Sequence, residues 1–299
     1  MNNRIRNRDL ILAAVLTLAL VSMACGVNLN LPFTQIETGP TQTVDIQVPM
    51  PKEPSAGVEL NLEFLAGEMK LSPAAAFGSG GYLASGSATF NVPDFEPQVE
   101  ASGSSYTLRS GDLKDKGIPN FEEDVKNEWD LKLADTPMSL SINAGAYDGS
   151  FELGGLSLEK LAISEIGSDL TGSFSEPNHV EMSSFTFSTG GSSVELKGLA
   201  NANFEQMTFD SGAGDYTLSF DGDLKHDASV TIDSGVSTVN IIVPQGVHAL
   251  VTFEGGLTYI NMEGGWDQNG EIYTHPGSGP TLNITVVMGL GTLNLKTEV

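Results

Sequence analysis

The chain has 299 residues and carries 38 acidic against 14 basic side chains, a formal net charge of −24. A protein this acidic repels a phosphate backbone, so nucleic acid is not an expected partner. The 34 glycines favour strands and turns over helices, where glycine costs about 1 kcal/mol per position, and the single cysteine excludes an internal disulfide or a metal site built from several cysteines.

Residues 1–25 have the organisation of an export signal. Three arginines precede an apolar stretch, Leu10–Val21, which is shorter than the roughly 20 residues of a membrane span. The only cysteine, Cys25, directly follows Ala24, and the segment resembles a bacterial lipoprotein signal, with Ser22 where that motif usually has an aliphatic residue. In that family the cysteine is lipidated and becomes the new N-terminus. The alternatives are an uncleaved signal anchor and an ordinary secretory signal.

The resemblance to a lipoprotein signal implies a location. We expect attachment to a membrane through lipid on Cys25, at the extracytoplasmic face of the cell envelope. Removal of the signal would leave 11 basic and 37 acidic side chains, a net charge of −26. Anionic headgroups repel such a body, so the attachment is expected to depend on the lipid and not on charge.

Residues 26–42 are expected to form a tether, since the Gly39-Pro40 pair indicates a turn or an irregular linker. Residues 43–136 are interpreted as a less regular, β-rich N-terminal region. Apolar and polar residues alternate with the period of a strand in Val44–Val48 and Leu60–Phe64. The sequence leaves open whether this region continues the repeats that follow it.

Residues 137–299 carry a repeat centred on glycine. Apolar residues stand five and three positions before the glycine and four and six positions after it. The unit around Gly167 needs one inserted residue, and the last unit has an extra loop at Trp266–Pro280. Each unit is interpreted as strand, glycine turn, strand. The predicted repeat glycines are Gly145, Gly167, Gly190, Gly212, Gly235, Gly256 and Gly289.

The length of the repeat indicates the architecture. Units of about 22 residues are too short to bury their own apolar face, whereas stacked coils cover one another. We therefore predict an all-β fold in which residues 137–299 form a parallel β-solenoid. The alternative is an antiparallel sandwich or barrel, but the Asp-Gly and Asn-Gly hairpin pairs do not occupy matched places in the repeat.

Three segments resemble the toast-rack family, bacterial envelope proteins of unknown function. They are Gly67 with its flanking Leu62, Phe64 and Leu71, the strand Asn127–Leu133, and the segment Leu140–Ala146. The family is similar to candidate-adhesin solenoids and to the soluble part of cell-wall-antibiotic response proteins. The resemblance covers about residues 45–299 and implies a right-handed parallel β-solenoid, similar to a single-stranded β-helix. The family has no established catalytic residues, so the resemblance assigns none.

One set of acidic residues recurs within the repeat. Asp210, Asp233 and Glu254 each precede a repeat glycine by two positions. On adjacent coils they would lie about 4.8 Å apart and could bind Ca²⁺ or act as acid and base on a polysaccharide. Polar side chains at this place equally bond the amides of a turn, and we expect this structural role. No metal, cofactor or catalytic residue is therefore assigned.

An aromatic set recurs in the same way. Phe187, Phe209 and Phe253 share the position three before the repeat glycine. This position is inward in the pattern, so we expect the rings to stack in the core with Ile232 between them. The four histidines are scattered in the sequence, without the spacing of an HxH or HExxH metal motif.

The sequence as a whole favours a lipid-anchored extracytoplasmic β-solenoid without catalytic activity, acting as an adhesin-like recognition surface or an envelope scaffold. Besides the membrane, the expected partner is an unidentified envelope glycan or protein. The alternative is a carbohydrate-active β-helix enzyme, a polysaccharide hydrolase or lyase that uses stacked carboxylates. A groove with paired acids beside aromatic or basic side chains would distinguish the enzyme.

Overall fold

The computed structural model describes residues 33–35, 38–51, 57–75, 81–111, 118–120 and 125–298. This part of the chain contains strands and two single-turn 3-10 helices, Pro93–Phe95 and Leu199–Ala202. It contains no helix that is long and apolar enough to cross a membrane. The strands are β1 Phe33–Gln35, β2 Gln42–Pro49, β3 Val58–Pro73, β4 Tyr82–Phe90, β5 Gln98–Ser102, β6 Ser105–Arg109, β7 Ile118–Asn120, β8 Asn127–Leu133, β9 Met138–Glu152, β10 Leu158–Ser173, β11 Ser184–Lys197, β12 Gln206–Ser219, β13 Ala228–Pro244, β14 Gly246–Glu263, β15 Asp267–Asn269, β16 Ile272–His275 and β17 Gly277–Glu298.

The chain divides into two compact units. In the first, residues 1–36 with 115–122, the described strands β1 and β7 pair in parallel. The second, residues 37–114 with 123–299, holds the other 15 described strands in one sheet.

Eight long parallel strands form the body of the second unit, in the spatial order β3-β9-β10-β11-β12-β13-β17-β14. Parallel pairing in register brings equivalent residues of neighbouring coils side by side, so apolar rows face one shared core. In β11 the buried apolar residues are the predicted ones, Phe185, Phe187, Val194 and Leu196. The predicted inward pattern and the all-β, solenoid-like fold are confirmed.

The repeat glycines lie inside continuous strands and not at turns between strands. Buried positions fall at odd offsets before the glycine and at even offsets after it, so the alternation slips by one residue and the strand bends there. We call the part before the bend the first arm and the part after it the second arm. A Cβ on Gly235 would lie 2.5 Å from the carbonyl oxygen of Gly212, and one on Gly289 would lie 2.7 Å from that of Gly235. The bend thus selects glycine because the neighbouring coil leaves no room for a side chain.

Strand β10 departs from the predicted pattern. Its register places Ile166, and not Gly167, beside Gly145 of β9 and Gly190 of β11. The inserted residue expected in this unit is therefore wrong. Gly167 follows one position later, where a Cβ would lie 2.8 Å from the carbonyl oxygen of Gly191. Ile166 takes the glycine position and is 74% exposed.

The coils are not stacked in the order of the sequence. Strand β17 lies between β13 and β14, where Leu293 pairs with Val239 on one side and with Ile260 on the other. The segment predicted as an extra loop forms the hairpin β15–β16, which pairs antiparallel with β14. The long interval before the last repeat therefore contains this hairpin, after which the chain returns to form β17 between β13 and β14.

The N-terminal region continues the sheet. Strand β3 pairs with β9 in parallel, with Leu60 opposite Leu140, and Leu65 stands beside Gly145 at the bend. On the other side of β3, the first arm pairs with β6 and the second arm with β8, followed by β4 and β2. The expected boundary at residue 136 therefore does not interrupt the stack.

Candidate functional site

Of the three carboxylates predicted to form a ladder, only two lie on neighbouring strands. Asp210 of β12 and Asp233 of β13 are register partners two residues before the bend. On its other side Asp233 is opposite Val287 of β17, and Val287 is opposite Glu254 of β14. The ladder of three is therefore wrong, because the inserted strand separates Glu254 from the two aspartates.

The phenylalanine row shows the same effect of strand order. Phe187 and Phe209 stack with ring centroids 5.0 Å apart and planes inclined by 12°. Ile232 follows them as expected, but Val286 stands between Ile232 and Phe253. The first four members of the row are buried, so the row packs the core and does not line a ligand groove.

A second row of carboxylates, which the sequence did not predict, lies three residues after the bend. Glu68, Asp148 and Asp169 are register partners on β3, β9 and β10, and all three are exposed. An open depression of about 390 Å³ is lined in part by the two aspartates. The sequence did not predict this row because the repeat was recognised by its glycine. At the bend, β3 has Leu65 and β10 has Ile166 in place of that glycine.

The two rows of carboxylates are poorly arranged to bind a cation. Carboxylate oxygens suit Ca²⁺, but a calcium site needs several oxygen ligands that converge on one point. Rows on a sheet project side by side and do not converge. Within the described ranges, no three His, Cys, Asp or Glu side chains come together in a group that could hold a metal ion.

A buried polar cluster lies inside the bend. Glu165 of β10 is 7% exposed, and its Oε1 accepts hydrogen bonds from the hydroxyls of Ser168 at 2.5 Å and Ser192 at 2.9 Å. The hydroxyls of Ser192 and Thr189 lie 2.5 Å apart. The signal in the sequence is a polar residue one position before and two positions after the bend, both of which the alternation places inside.

Tyr147 of β9 lies close to this cluster. Burial raises the pKa of Tyr147 well above its ordinary value of 10, and the charge of Glu165 raises it further. A general base must reach the proton that it removes from a substrate. Glu165 and Tyr147 are both enclosed by the core, so the cluster fixes the bend and is not placed to act on a substrate.

The histidines are as dispersed in the fold as in the sequence. Each forms a hydrogen bond with a different neighbour: His179 with the carboxylate of Asp135, His226 with the carbonyl of Asp227, His248 with the hydroxyl of Thr281, and His275 with the carbonyl of Val247. None of these four contacts joins a histidine to a serine hydroxyl.

The outer face of the first arms carries a row of threonines. Four residues before the bend, threonines are register partners on five adjacent strands: Thr186, Thr208, Thr231, Thr285 and Thr252. Neighbouring strands lie about 4.8 Å apart, so the row repeats at that interval. The insertion of β17 does not interrupt this row, because β17 also has threonine at the position.

Cys25 and the rest of the predicted signal lie outside the described residues. Lipid attachment therefore stays a prediction. Of the predicted tether, residues 33–35 and 38–42 are described: Phe33–Gln35 form β1, and Gln42 begins β2.

Solved structures with a similar course of the chain come from several bacteria. A candidate cell adhesion protein from Clostridium sporogenes ATCC 15579 is 16% identical with a TM-score of 0.47, over 87% of this chain and 100% of that one. A candidate adhesin from Bacteroides fragilis NCTC 9343 is 10% identical with a TM-score of 0.33, over 88% and 99%. A candidate lipid-binding protein from Parabacteroides distasonis ATCC 8503 is 12% identical with a TM-score of 0.34, over 88% and 99%. These likenesses are too distant to carry an argument about function.

No curated protein matches the sequence. Residues 37–183 match the family described as the N-terminal domain of toast_rack, DUF2154. The match spans β2 to β10, and the strands from β11 onwards extend the same parallel stack. By this match, residues 37–183 form a toast-rack N-terminal domain, and the parallel stack continues beyond it.

Proposed function

We propose that this protein is a non-catalytic recognition surface, anchored by lipid at the extracytoplasmic face of the cell envelope, whose threonine row binds an envelope glycan. The observation that supports the proposal is the in-register row of five threonines on the outer face. A polymer of repeating units can meet one hydroxyl on each strand. Hydroxyl groups both donate and accept hydrogen bonds, as the hydroxyls of a sugar do.

The charge of the surface limits the class of glycan that it can bind. Asp210 and Asp233 stand on the same face, two residues along from the threonine row. A net charge of −24 repels a polyanion. A neutral or amino-sugar polymer therefore suits this face better than an acidic polysaccharide.

The same face supports binding better than hydrolysis. A glycosidase places its two carboxyl groups on either side of the scissile bond, in a site that excludes bulk water. Asp210 and Asp233 project from neighbouring strands of one face, so both approach a ligand from the same side. The pair therefore does not favour a polysaccharide hydrolase.

The test is binding of the full chain to purified neutral and amino-sugar envelope glycans, measured by calorimetry. The double variant Thr208→Val, Thr231→Val keeps the shape and the strand preference of the side chains but removes two hydroxyls. We expect it to bind at least about tenfold more weakly, as for the loss of hydrogen-bonding groups at a ligand surface.

The matched control is Thr238→Val with Thr292→Val, a register pair on the second arms of β13 and β17. It should bind like the wild type. Binding that the first double variant retains in full, or that both variants lose alike, would contradict the threonine row as the site. Release of reducing ends from the glycan by the wild type would contradict a non-catalytic role.

A further inference from the structure

The two ends of the parallel stack finish differently. At one end both arms of β3 are paired, the first with β6 and the second with β8. At the other end the hairpin strand β16 pairs with β14 only along Ala249–Thr252. Within the described part of the chain, the second arm of β14 pairs with β17 alone. Its outer edge therefore offers a row of backbone N–H and C=O groups to another strand.

This edge is apolar on both of its faces. Of the inward residues, Met262 is 41% exposed, whereas its partner Leu295 on β17 is fully buried. Of the outward residues, Leu257 is 82% exposed and Tyr259 is 69% exposed. Six of the eight large apolar side chains that are exposed in the described part lie on the strands at this end: Val236, Leu257, Tyr259, Met262, Ile272 and Leu290. Clustered exposure of this kind marks an interaction surface.

The edge also lacks the features that usually prevent pairing. Natural edge strands are protected by charged residues, prolines or bulges. Residues 255–262 contain neither a charge nor a proline, in a chain with a net charge of −24.

A row of amides stops at the same edge. The Nδ2 of Asn294 donates to the Oδ1 of Asn240 at 2.9 Å, and the Nδ2 of Asn261 donates to the Oδ1 of Asn294 at 2.9 Å. Asn261 is the last member of this row in the described sheet. The side-chain ladder and the backbone ladder therefore end at the same edge.

We propose that the second arm of β14, residues 255–262, is the docking edge for a second copy of this chain, with the two arms antiparallel across a two-fold axis. Two copies with a net charge of −24 repel each other over most of their surface, so they can meet only where both are uncharged. A two-fold axis places the same segment on both sides of the contact, so an uncharged segment meets an uncharged segment. A basic partner would be drawn to the carboxylate rows and not to this neutral edge.

The test is the oligomeric state of the full chain, measured by sedimentation equilibrium in a mild detergent. The wild type should dimerise, and the double variant Leu257→Lys, Tyr259→Lys should raise the dissociation constant at least about tenfold. Both side chains already lie in solvent in the single chain, so the melting temperature should not change when it is measured at a concentration at which the wild type is monomeric. Raising NaCl from about 50 to 500 mM should strengthen the wild-type dimer, because salt screens the repulsion between the two acidic bodies.

The control is Ile166→Lys, which places one lysine at an exposed apolar residue of β10, inside the stack and away from the edge. It should leave the dissociation constant unchanged. A wild type that stays monomeric at about 100 µM would overturn the proposal, since that concentration detects even a weak dimer. Equal weakening by Ile166→Lys would also overturn it. So would protection of residues 255–262 from hydrogen exchange in the monomer, which would mean that the chain covers its own edge.

Discussion

A carbonyl oxygen of the preceding coil occupies the space that a Cβ would need at Gly212 and at Gly235. The requirement at these bends is therefore steric, since the repeat glycines do not adopt a positive φ. Strand β10 meets the same requirement at a different residue, with Gly167 against Gly191. At these bends, glycine therefore occurs where the backbones of two coils approach each other most closely.

Gly212→Ala should lower the free energy of unfolding by about 1–3 kcal/mol, because the added methyl group overlaps the backbone of Gly190. Gly191→Ala is the control on the neighbouring coil. There a Cβ would lie 3.4 Å from the carbonyl oxygen of Ala213, an ordinary contact, so the change should stay within about 0.5 kcal/mol. Urea unfolding of both variants checks this, and equal losses would contradict the steric account.

The buried tyrosine should make stability depend on alkaline pH. Burial, with the charge of Glu165, raises the pKa of Tyr147 above 10, while the unfolded chain loses this proton near 10. The stabilisation is complete below that pH and is lost as the pH rises above it, by up to about 1.4 kcal/mol per pH unit. Urea unfolding from about pH 8 to 11 should show a shallower decline for Tyr147→Phe than for the wild type. Parallel declines would contradict the assignment.

At the scale of the strand, the position of a coil in the stack decides what its side chains contribute. Phe209 lies inside the stack, 5.0 Å from Phe187 and 5.1 Å from Tyr216 between ring centroids. Phe253 has the same place in its repeat but lies on the last strand of the parallel stack and is only half-buried.

Phe209→Ala should therefore cost about 3–5 kcal/mol of unfolding free energy, as for a large buried aromatic residue. Phe253→Ala should cost less than half as much, because its ring has a neighbouring coil on one side only. Denaturant unfolding at one pH compares the two. Equal costs would mean that β14 is covered as fully as β12.

The sequence predicted which residues of a coil face inward, because alternation and the glycine position determine burial in every repeat. It did not predict which coils are neighbours. The apolar pattern around Gly256 and that around Gly289 are the same, so the pattern does not indicate which of the two coils stacks on β13. In the structure β17 does, and strand β16 of the hairpin pairs with β14. The error in the carboxylate ladder and the error in the phenylalanine row have this one cause. The polar cluster at Glu165 was not predicted because the repeat pattern is defined by apolar residues and glycine alone.

At the scale of the whole molecule, the proposed anchor depends on Cys25. Cys25→Ser should move the chain from the membrane fraction to the soluble fraction, since the acidic body has no attraction for anionic headgroups of its own. Ser22→Leu, which restores the usual aliphatic residue of the motif, should increase the lipidated fraction. Fractionation followed by mass spectrometry of the N-terminal peptide checks both. A Cys25→Ser chain that still sediments with membranes would contradict lipid anchoring.

The position of β17 between β13 and β14 bears on how the protein is made. A chain that emerges N-terminus first, from a ribosome or on the far side of a membrane, presents the coils from β9 to β13 in the order in which they stack, so each can pack on the one before it. Strand β14 emerges next, but its parallel neighbour β17 follows later in the chain. Until β17 emerges, the second arm of β14 has two unpaired edges among the described strands, and the chain is then most prone to aggregate.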